Sequence, residues 1–489
     1  MEDGARIAVL RLSGELSTKA RATRRRFLGQ LVANLREALA AEGLAADVER
    51  AHERVYLVPA DARAVEIASR IFGVSSISLA ERASFTGLDD LVAIAARRFV
   101  GDVRERSFAV RARIVGGRET AAFGARDVEV ALGAALLPGA RRVDLGSPEV
   151  TVRIEVHRGQ AHLFRDALPG AGGLPLGTEG RAVALVSGGF DSAVAAWHLL
   201  RRGVRLEYVF CNLGGRTHEL GALRVMKWIA ETWSYGDRPR LHAFDFRPVV
   251  QELMERSQPR YWQILLKREM LRAAERVARA VRAQAIVTGE ALGQVSSQTL
   301  ANLAAISEAT AFPILRPLVG FHKDEIIALA GRIGTAPLSA AVGEYCGIVP
   351  RRPATAARLA DVLRQEEHRS DAALEHAWKT SRRIDLRGFD PDEELIPDLA
   401  VERPPAGATL LDLRSREEFA EWHPEGALRL DFADALRAFP SFAKEREYVV
   451  YCAYGLKSAH LAELMCEAGL RAHHLRGGAR ALRSGTGRN

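Results

Sequence analysis

At 489 residues, 48% hydrophobic and 27% charged, the chain is long enough for three or four domains of about 100 to 200 residues and lacks the low-hydrophobicity signature of disorder. No stretch approaches the roughly 18 apolar residues of a membrane span, and residues 1–16 lack the basic start, apolar run and cleavage site of a secretory leader, so insertion and secretion are disfavoured. The net charge of +8 suits a polyanionic partner, and four widely spaced cysteines without a CxxC pair argue against a zinc site or a disulfide framework and for a reducing cytoplasm.

In chain order, RIAVLRL, the basic RRRFLGQLVANLREALAAEG and ERVYLV read as strand, helix and strand, a small α+β unit over residues 1–61. A second α/β unit, residues 62–168, follows: helix ARAVEIASRIFG, a short apolar stretch, helix DDLVAIAARRFV, then strands FAVRARIV and VTVRIEVH. The connector LPGAGGLPLGTEG breaks the pattern with glycine and proline. Behind it, over residues 178–398, strands VALV, LEYVF, LHAFDF and AIVTG alternate with helices, as in a parallel sheet covered on both faces. After the acidic connector FDPDEELIPDL, residues 405–489 hold TLLDL, EYVVYC and a terminal HHL strand around helices, again α/β.

The sharpest local signal is the string Ser187-Gly188-Gly189-Phe190-Asp191-Ser192 between a strand ending at Leu185 and Val186 and a helix. Two glycines let the backbone close on an anion, and amides and hydroxyls at a helix start offer donors to pyrophosphate. It is no Walker A loop, since GxxxxGK[ST] occurs nowhere. Asp191 is a candidate for magnesium or acceptor positioning, or equally an N-cap. Seven lysines among 69 basic residues make each one worth explaining. Lys323 opens a helix, where the macrodipole disfavours a cation, so an anion is expected nearby; pairing with Asp324 or Glu325 is the plain alternative. Lys267 on a helix, Gly289 after a strand and Gln298 in the following loop would each alone be surface detail.

SGGFDS resembles the PP-loop of ATP pyrophosphatases, which adenylate a carbonyl oxygen and release pyrophosphate. With it, LSGELSTKARATRRRF, the FAVRARIV to VTVRIEV region, GAGGLPLGTEG and LRPLVGFHKDEIIALA are similar to the tRNA 4-thiouridine synthetase family, also called the thiamine biosynthesis sulfurtransferases. The resemblance implies an N-terminal ferredoxin-like domain, a THUMP domain, a PP-loop domain and, from TLLDLRSREEFAEWHPEG and EYVVYCAYGLKSAHL, a rhodanese domain. It implies ATP binding at Leu185, Val186, Ser187, Gly188, Gly189, Asp191, Ser192, Lys267, Gly289 and Gln298, with Asp191, Lys323, Cys346 and Cys452 catalytic. Cys346 and Cys452 would form the redox disulfide. No resident metal site is expected beyond Mg2+ accompanying ATP. Arg24, Arg25, Arg111 and Arg113 are candidate RNA contacts as a cluster, since arginine suits bidentate phosphate contacts and base stacking, although any one of them is an ordinary solvated side chain.

Cys452 follows an apolar strand and precedes a helix, with Lys457 close by, a setting for an accessible thiolate and anionic persulfide. Cys211 and Cys466 read as buried structural thiols. The implied reaction is thiolation of uridine 8 of tRNA, with a cysteine desulfurase as sulfur donor. Sulfur donation to a thiamine sulfur carrier protein, and a non-enzymatic RNA-binding module that kept a nucleotide pocket, are the other readings. Oligomeric state stays open, a homodimer included.

Overall fold

The computed structural model describes residues 6–51, 54–116, 121–213, 215–342, 352–367, 369–391, 399–452, 456–476 and 478–479. Its chain divides into two compact units.

The first unit runs from the N-terminus to Glu179, with residues 200–204 and 235–237. Its elements are β1 (Arg6–Leu12), α1 (Gly14–Ser17), α2 (Arg21–Ala41), β2 (Asp47–Ala51), β3 (Arg54–Val58), α3 (Ala62–Ser69), β4 (Val74–Ser84), α4 (Leu88–Val103), β5 (Ser107–Ile114), α5 (Ala125–Leu136), β6 (Arg142–Val143), β7 (Val150–His157), β8 (Gln160–Phe164) and β9 (Leu168–Pro169). One sheet of order β2-β3-β1-β4-β8-β7-β5-β6 joins them, with β9 also on β4. The apolar face of α2, including Leu28, Leu31 and Leu35, packs with Ala64, Ile67, Ile71 and Ile77 around β1. The first core therefore continues through α3 to Ile77, past the break expected at residue 61. A second core, around Leu91, Phe99, Val110, Leu132 and Val152, lies under α4 and α5. Glu155 on β7 ties the two halves: it accepts from Arg11 Nε at 2.8 Å and Arg54 Nε at 3.1 Å. Burial opposes its ionisation, but the two guanidiniums hold its carboxyl below the ordinary range.

The second unit holds two parallel sheets. The larger comprises β10 (Arg181–Val186), α6 (Phe190–Arg201), β11 (Arg205–Asn212), α7 (Gly215–Trp233), β12 (Arg240–Asp245), α8 (Arg247–Arg256), α9 (Trp262–Ala280), β13 (Ala285–Val287), α10 (Leu300–Ser307), β14 (Ile314–Leu315), α11 (Lys323–Ile333), α12 (Ala336–Ala341), α13 (Leu359–Glu366), α14 (Ala372–Lys379) and β15 (Arg382–Asp385). Strand order is β14-β13-β10-β11-β12-β15, parallel except for β15. The near-continuous burial of β10 and β11 is what helices on both faces require. From β10 the chain progresses to β11 and β12 on one side, and β13 then returns to its other side. That reversal opens a crevice at the carboxyl end of β10, the usual ligand position in such sheets.

The smaller sheet comprises β16 (Ala400–Val401), β17 (Thr409–Asp412), α15 (Arg416–Glu421), β18 (Leu428–Arg429), α16 (Phe432–Ala438), β19 (Glu447–Tyr451), α17 (Leu456–Glu467) and β20 (Arg471–Leu475). Its order is β16-β20-β19-β17-β18, all parallel, with β19 central.

Candidate active site at the nucleotide loop

The β10–α6 loop lies at the crevice. Gly188 has φ +80°, and a Cβ on it would fall 2.8 Å from Ala222 Cα of α7, so only glycine fits. The loop is closed by its own hydroxyls: Ser192 Oγ donates to the Gly189 carbonyl at 3.0 Å, and the Gly189 amide donates to Ser187 Oγ at 3.4 Å. Leu185 and Val186 end the strand that feeds it. Gly289, just past β13, is pressed on the first turn of α6, since a Cβ there would lie 2.8 Å from the Asp191 carbonyl carbon and the Ser192 nitrogen. Gly188 and Gly289 thus bring backbone close to the start of α6, whose first amides are donors of the kind that bind a phosphate group.

Asp191 lies inside the first turn of α6, one residue past the helix start. Both its carboxylate oxygens accept from Lys323 Nζ at 2.8 Å. Lys323 is the first residue of α11, so the anion expected beside this cation is Asp191, 132 positions away, rather than Asp324 or Glu325. Glu325 instead accepts from the His322 backbone amide at 2.8 Å. With side chains 42% and 29% exposed, the pair contributes about 0 to 1 kcal/mol, so an incoming ligand can open it at little cost. Gln294 Nε2 approaches Asp191 at 3.5 Å.

Lys267 Nζ donates to Glu290 Oε1 at 2.8 Å, and Arg316 Nε donates to Glu290 Oε2 at 2.8 Å. Burial opposes ionisation of Glu290, yet the two cations hold its carboxyl below the ordinary range. Neither Glu290 nor Arg316 was singled out by the sequence. Their only signal is position, Glu290 being the residue after Gly289. Gln298 ends a short helical turn, with its side-chain oxygen buried and without a hydrogen-bond partner in the structure. Ser296 of that turn donates to Gln263, one helical turn before Lys267 on α9, so the turn is tied to the Lys267 face. Behind the loop, the His218 ring of α7 is hydrogen-bonded to the Ser187 backbone and stands edge-on to Phe210 at 4.7 Å.

Cys452 follows β19 and is buried in its own domain's core, with Sγ 3.5 Å from Ser458 Oγ. This differs from the accessible thiol expected, because the central strand carries Cys452 into the core. Asp412 is fully buried beneath Arg414, which donates to it from Nη2 at 2.6 Å. Cys211 is buried and its thiol pKa pushed up by burial; Cys466 Sγ donates to the Ala472 carbonyl at 3.2 Å. Cys346 lies outside the described residues. Arg25 and Arg113 are exposed and Arg24 half-buried, while Arg111 donates to the Leu145 carbonyl at 2.7 Å. Among the described residues no three His, Cys, Asp or Glu side chains converge as a metal site, and no helix is long and apolar enough to cross a membrane.

The chain is 38% identical to the tRNA sulfurtransferase of Pyrobaculum aerophilum, covering 96% of each, and 35% identical to that of Desulfurococcus amylolyticus, covering 98% of each. It belongs to the tRNA sulfurtransferase family. Family models match the sulfurtransferase along its length: ThiI ferredoxin-like domain at residues 8–78, THUMP domain at 83–166, Thiamine biosynthesis protein (ThiI) at 177–370 and rhodanese-like domain at 397–484. The four-part α/β architecture expected from the sequence is therefore the observed one. Among solved structures, a 4-thiouridine synthetase in complex with RNA and bound ATP aligns with TM-score 0.68 and 29% identity, over 78% of this sulfurtransferase and 99% of that chain. A Pyrococcus horikoshii protein, PH1313, shares the fold at TM-score 0.53 and 22% identity, over 67% of this chain and 99% of that one.

Proposed function

We propose that the chain uses ATP to adenylate oxygen 4 of uridine 8 in tRNA, then replaces that oxygen with sulfur from a Cys452 persulfide, giving 4-thiouridine. The observation that carries the proposal is the Asp191–Lys323 pair at the mouth of the β10–α6 loop, a weak pair that substrate can open. The ATP-bound RNA complex of the similar synthetase supports the same pair of ligands here.

In this reading Leu185, Val186, Ser187, Gly188, Gly189, Ser192, Lys267, Gly289 and Gln298 hold ATP, while Asp191 and Lys323 face the α-phosphate. Uracil oxygen 4 attacks that phosphorus and pyrophosphate leaves, its charge met by α6 amides and Lys323. Asp191 is a single carboxylate, so it fits a magnesium ion that arrives on the nucleotide better than one held in a protein cage. When bound, magnesium supplies neutralisation of phosphate charge. The terminal persulfide sulfur of Cys452 then attacks carbon 4 and expels AMP. The Cys346 thiolate attacks Cys452 Sγ, leaving the sulfur on the base and closing a disulfide that a thiol reductant reopens.

Two observations support this relay. The segment carrying Cys346 departs from Val342, whose Cγ2 would lie 3.2 Å from a Cβ on Gly188. Helix α17, which follows the Cys452 loop, packs on α7, the helix that Gly188 also meets. The two N-terminal domains would bind tRNA, a cysteine desulfurase would load Cys452, and the protein would act in the cytoplasm. The family model named for thiamine biosynthesis favours sulfur donation to a thiamine sulfur carrier protein as a second role of the rhodanese domain. Mass spectrometry of tRNA nucleosides from cells lacking the protein tests the main reading: 4-thiouridine should disappear, and its persistence refutes it.

A further inference from the structure

Helix α7 begins with Gly215 at φ +72°, and a Cβ there would lie 2.9 Å from Glu463 Oε1 of α17. The Arg216 backbone amide donates to the same oxygen at 3.4 Å. The contact is complementary in charge. Glu463 lies in the field of the Arg216 guanidinium, and Glu463 and Glu467 both act on Arg247 at the start of α8. Three residues before Glu463, His460 is buried, and its charge would act directly on His218. His218 is the residue hydrogen-bonded to the Ser187 backbone of the nucleotide loop. On the other side, Ser458, two residues before His460, is the hydroxyl beside Cys452 Sγ. Helix α17, which carries the Ser458 hydroxyl beside Cys452, therefore packs on α7, the helix whose His218 bonds the phosphate loop.

We infer that α7 is the seat on which the rhodanese domain delivers sulfur to the nucleotide loop, with Glu463 as the α17 side chain that holds it there. The inference rests on the thiolation reading above. Glu463 and Glu467 of α17 face Arg216 of α7 and Arg247 of α8, which are already paired with Glu219 and Asp245, and such shared charge contacts suit a seat that must be left and regained, because the cysteine must also meet a separate sulfur donor. Charge pairs at a partly solvated contact break more readily than a shared apolar core. Both imidazoles are pushed down by burial, His218 to about 3 and His460 to about 4, so the centre of the seat carries no charge near neutrality and the Glu463 and Glu467 contacts set its polarity.

The test uses the full chain with Glu463→Arg, which opposes Arg216 and Arg247, and Glu463→Gln, which keeps an acceptor for the Arg216 amide but no charge. Hydrogen exchange is followed at residues 215–222 and 456–467, beside tRNA-dependent AMP formation and single-turnover thiolation by persulfide-loaded enzyme. Glu463→Arg should speed exchange in both segments and slow sulfur transfer by about tenfold or more, as loss of positioning does, while AMP formation keeps its wild-type rate. Glu463→Gln should fall between, with exchange in β17 and β19 unchanged, which separates loss of the seat from loss of the rhodanese fold. Unchanged exchange in Glu463→Arg overturns the seat, and faster exchange with undiminished sulfur transfer overturns its role in delivery. A wild-type chain that adenylates tRNA but never thiolates it overturns the thiolation reading as well, and is told apart because it fails before any substitution is made.

Discussion

Replacing Glu290 by glutamine removes the one negative charge between Lys267 and Arg316 while keeping the side chain's shape. The carboxylate is 9% exposed and its partners 26% and 16%, so solvent does little to compensate the two stranded cations. Breaking a buried pair costs about 3 to 5 kcal/mol, and the glutamine oxygen recovers part of one hydrogen bond, so a loss of about 2 to 4 kcal/mol is expected. In a domain of this size that lowers the melting temperature by about 4 to 16 °C. Thermal unfolding read by tryptophan fluorescence reports on it, since Trp197, Trp228, Trp233, Trp262 and Trp378 all lie in the nucleotide-binding domain. Because the folded carboxyl sits below its unfolded value, its contribution is full above about pH 4.3 and is lost as pH falls through the folded value; the gap between wild type and variant should close there. With Lys267 released from its anchor, KM for ATP should rise with kcat little changed. A melting temperature within about 1 °C of wild type at pH 7, well under the shift expected, or a gap unchanged down to about pH 3, refutes the reasoning.

Asp191→Ala and Lys323→Ala should each abolish tRNA-dependent AMP formation with a melting temperature close to wild type, because the exposed pair contributes about 0 to 1 kcal/mol; chromatographic detection of AMP at the wild-type rate would sink the assignment. Cys452→Ser and Cys346→Ser should lose multiple-turnover thiolation and keep adenylation, and non-reducing peptide mapping after turnover should find Cys346 linked to Cys452; Cys211→Ser should keep both activities. Affinity for tRNA should fall steeply with salt, and Arg113→Ala should lower the slope of log K against log salt by about one, measured by filter binding. In the rhodanese domain, burial pushes His460 and His474 down to about 4, so the unfolded chain takes up their protons first as pH falls. Stability that is full above about pH 6.5 should therefore drop by up to about 1.4 kcal/mol per pH unit for each histidine towards pH 4, read by chemical denaturation.

What was legible in the sequence is what is local. The string SGGFDS announces its strand, its loop and its helix because those lie within 20 residues of one another, and Lys323 stands out because it opposes the dipole of its own helix. The identity of its partner is not local: Asp191 is 132 positions away, while Asp324 and Glu325 are the carboxylates next to it in sequence. Glu290 and His218 were missed for the same reason, since each is defined by partners that only the sheet topology brings near. β4 read as a mere apolar stretch because its burial does not alternate cleanly, being buried at Val74, Ile77, Ser78, Ala80 and Arg82. The break placed at residue 61 follows the turn at Pro59 to Asp61, but Ala64, Ile67 and Ala68 dock into the preceding core, and a single pass along the chain cannot distinguish that from a new domain.

The distribution of ion pairs separates what must stay fixed from what must exchange. Glu155 between Arg11 and Arg54 and Asp412 beneath Arg414 are buried, Glu366 between Arg272 and the buried Arg268 is half-buried, and each is bound at more than one point. Removing one member of such a set leaves a stranded charge at about 3 to 5 kcal/mol, so each holds its elements in a single arrangement. Asp191 and Lys323 pair instead at the surface, for about 0 to 1 kcal/mol. A substrate phosphate competing for Lys323 therefore meets almost no opposition, while Gly289 against the backbone of Asp191 and Ser192 keeps the first turn of α6 from moving as the pair opens. The adenylation proposed above would use this division: the donors would be immobile when charge develops on the leaving pyrophosphate, while the Asp191 and Lys323 side chains would be free to leave one another when nucleotide arrives.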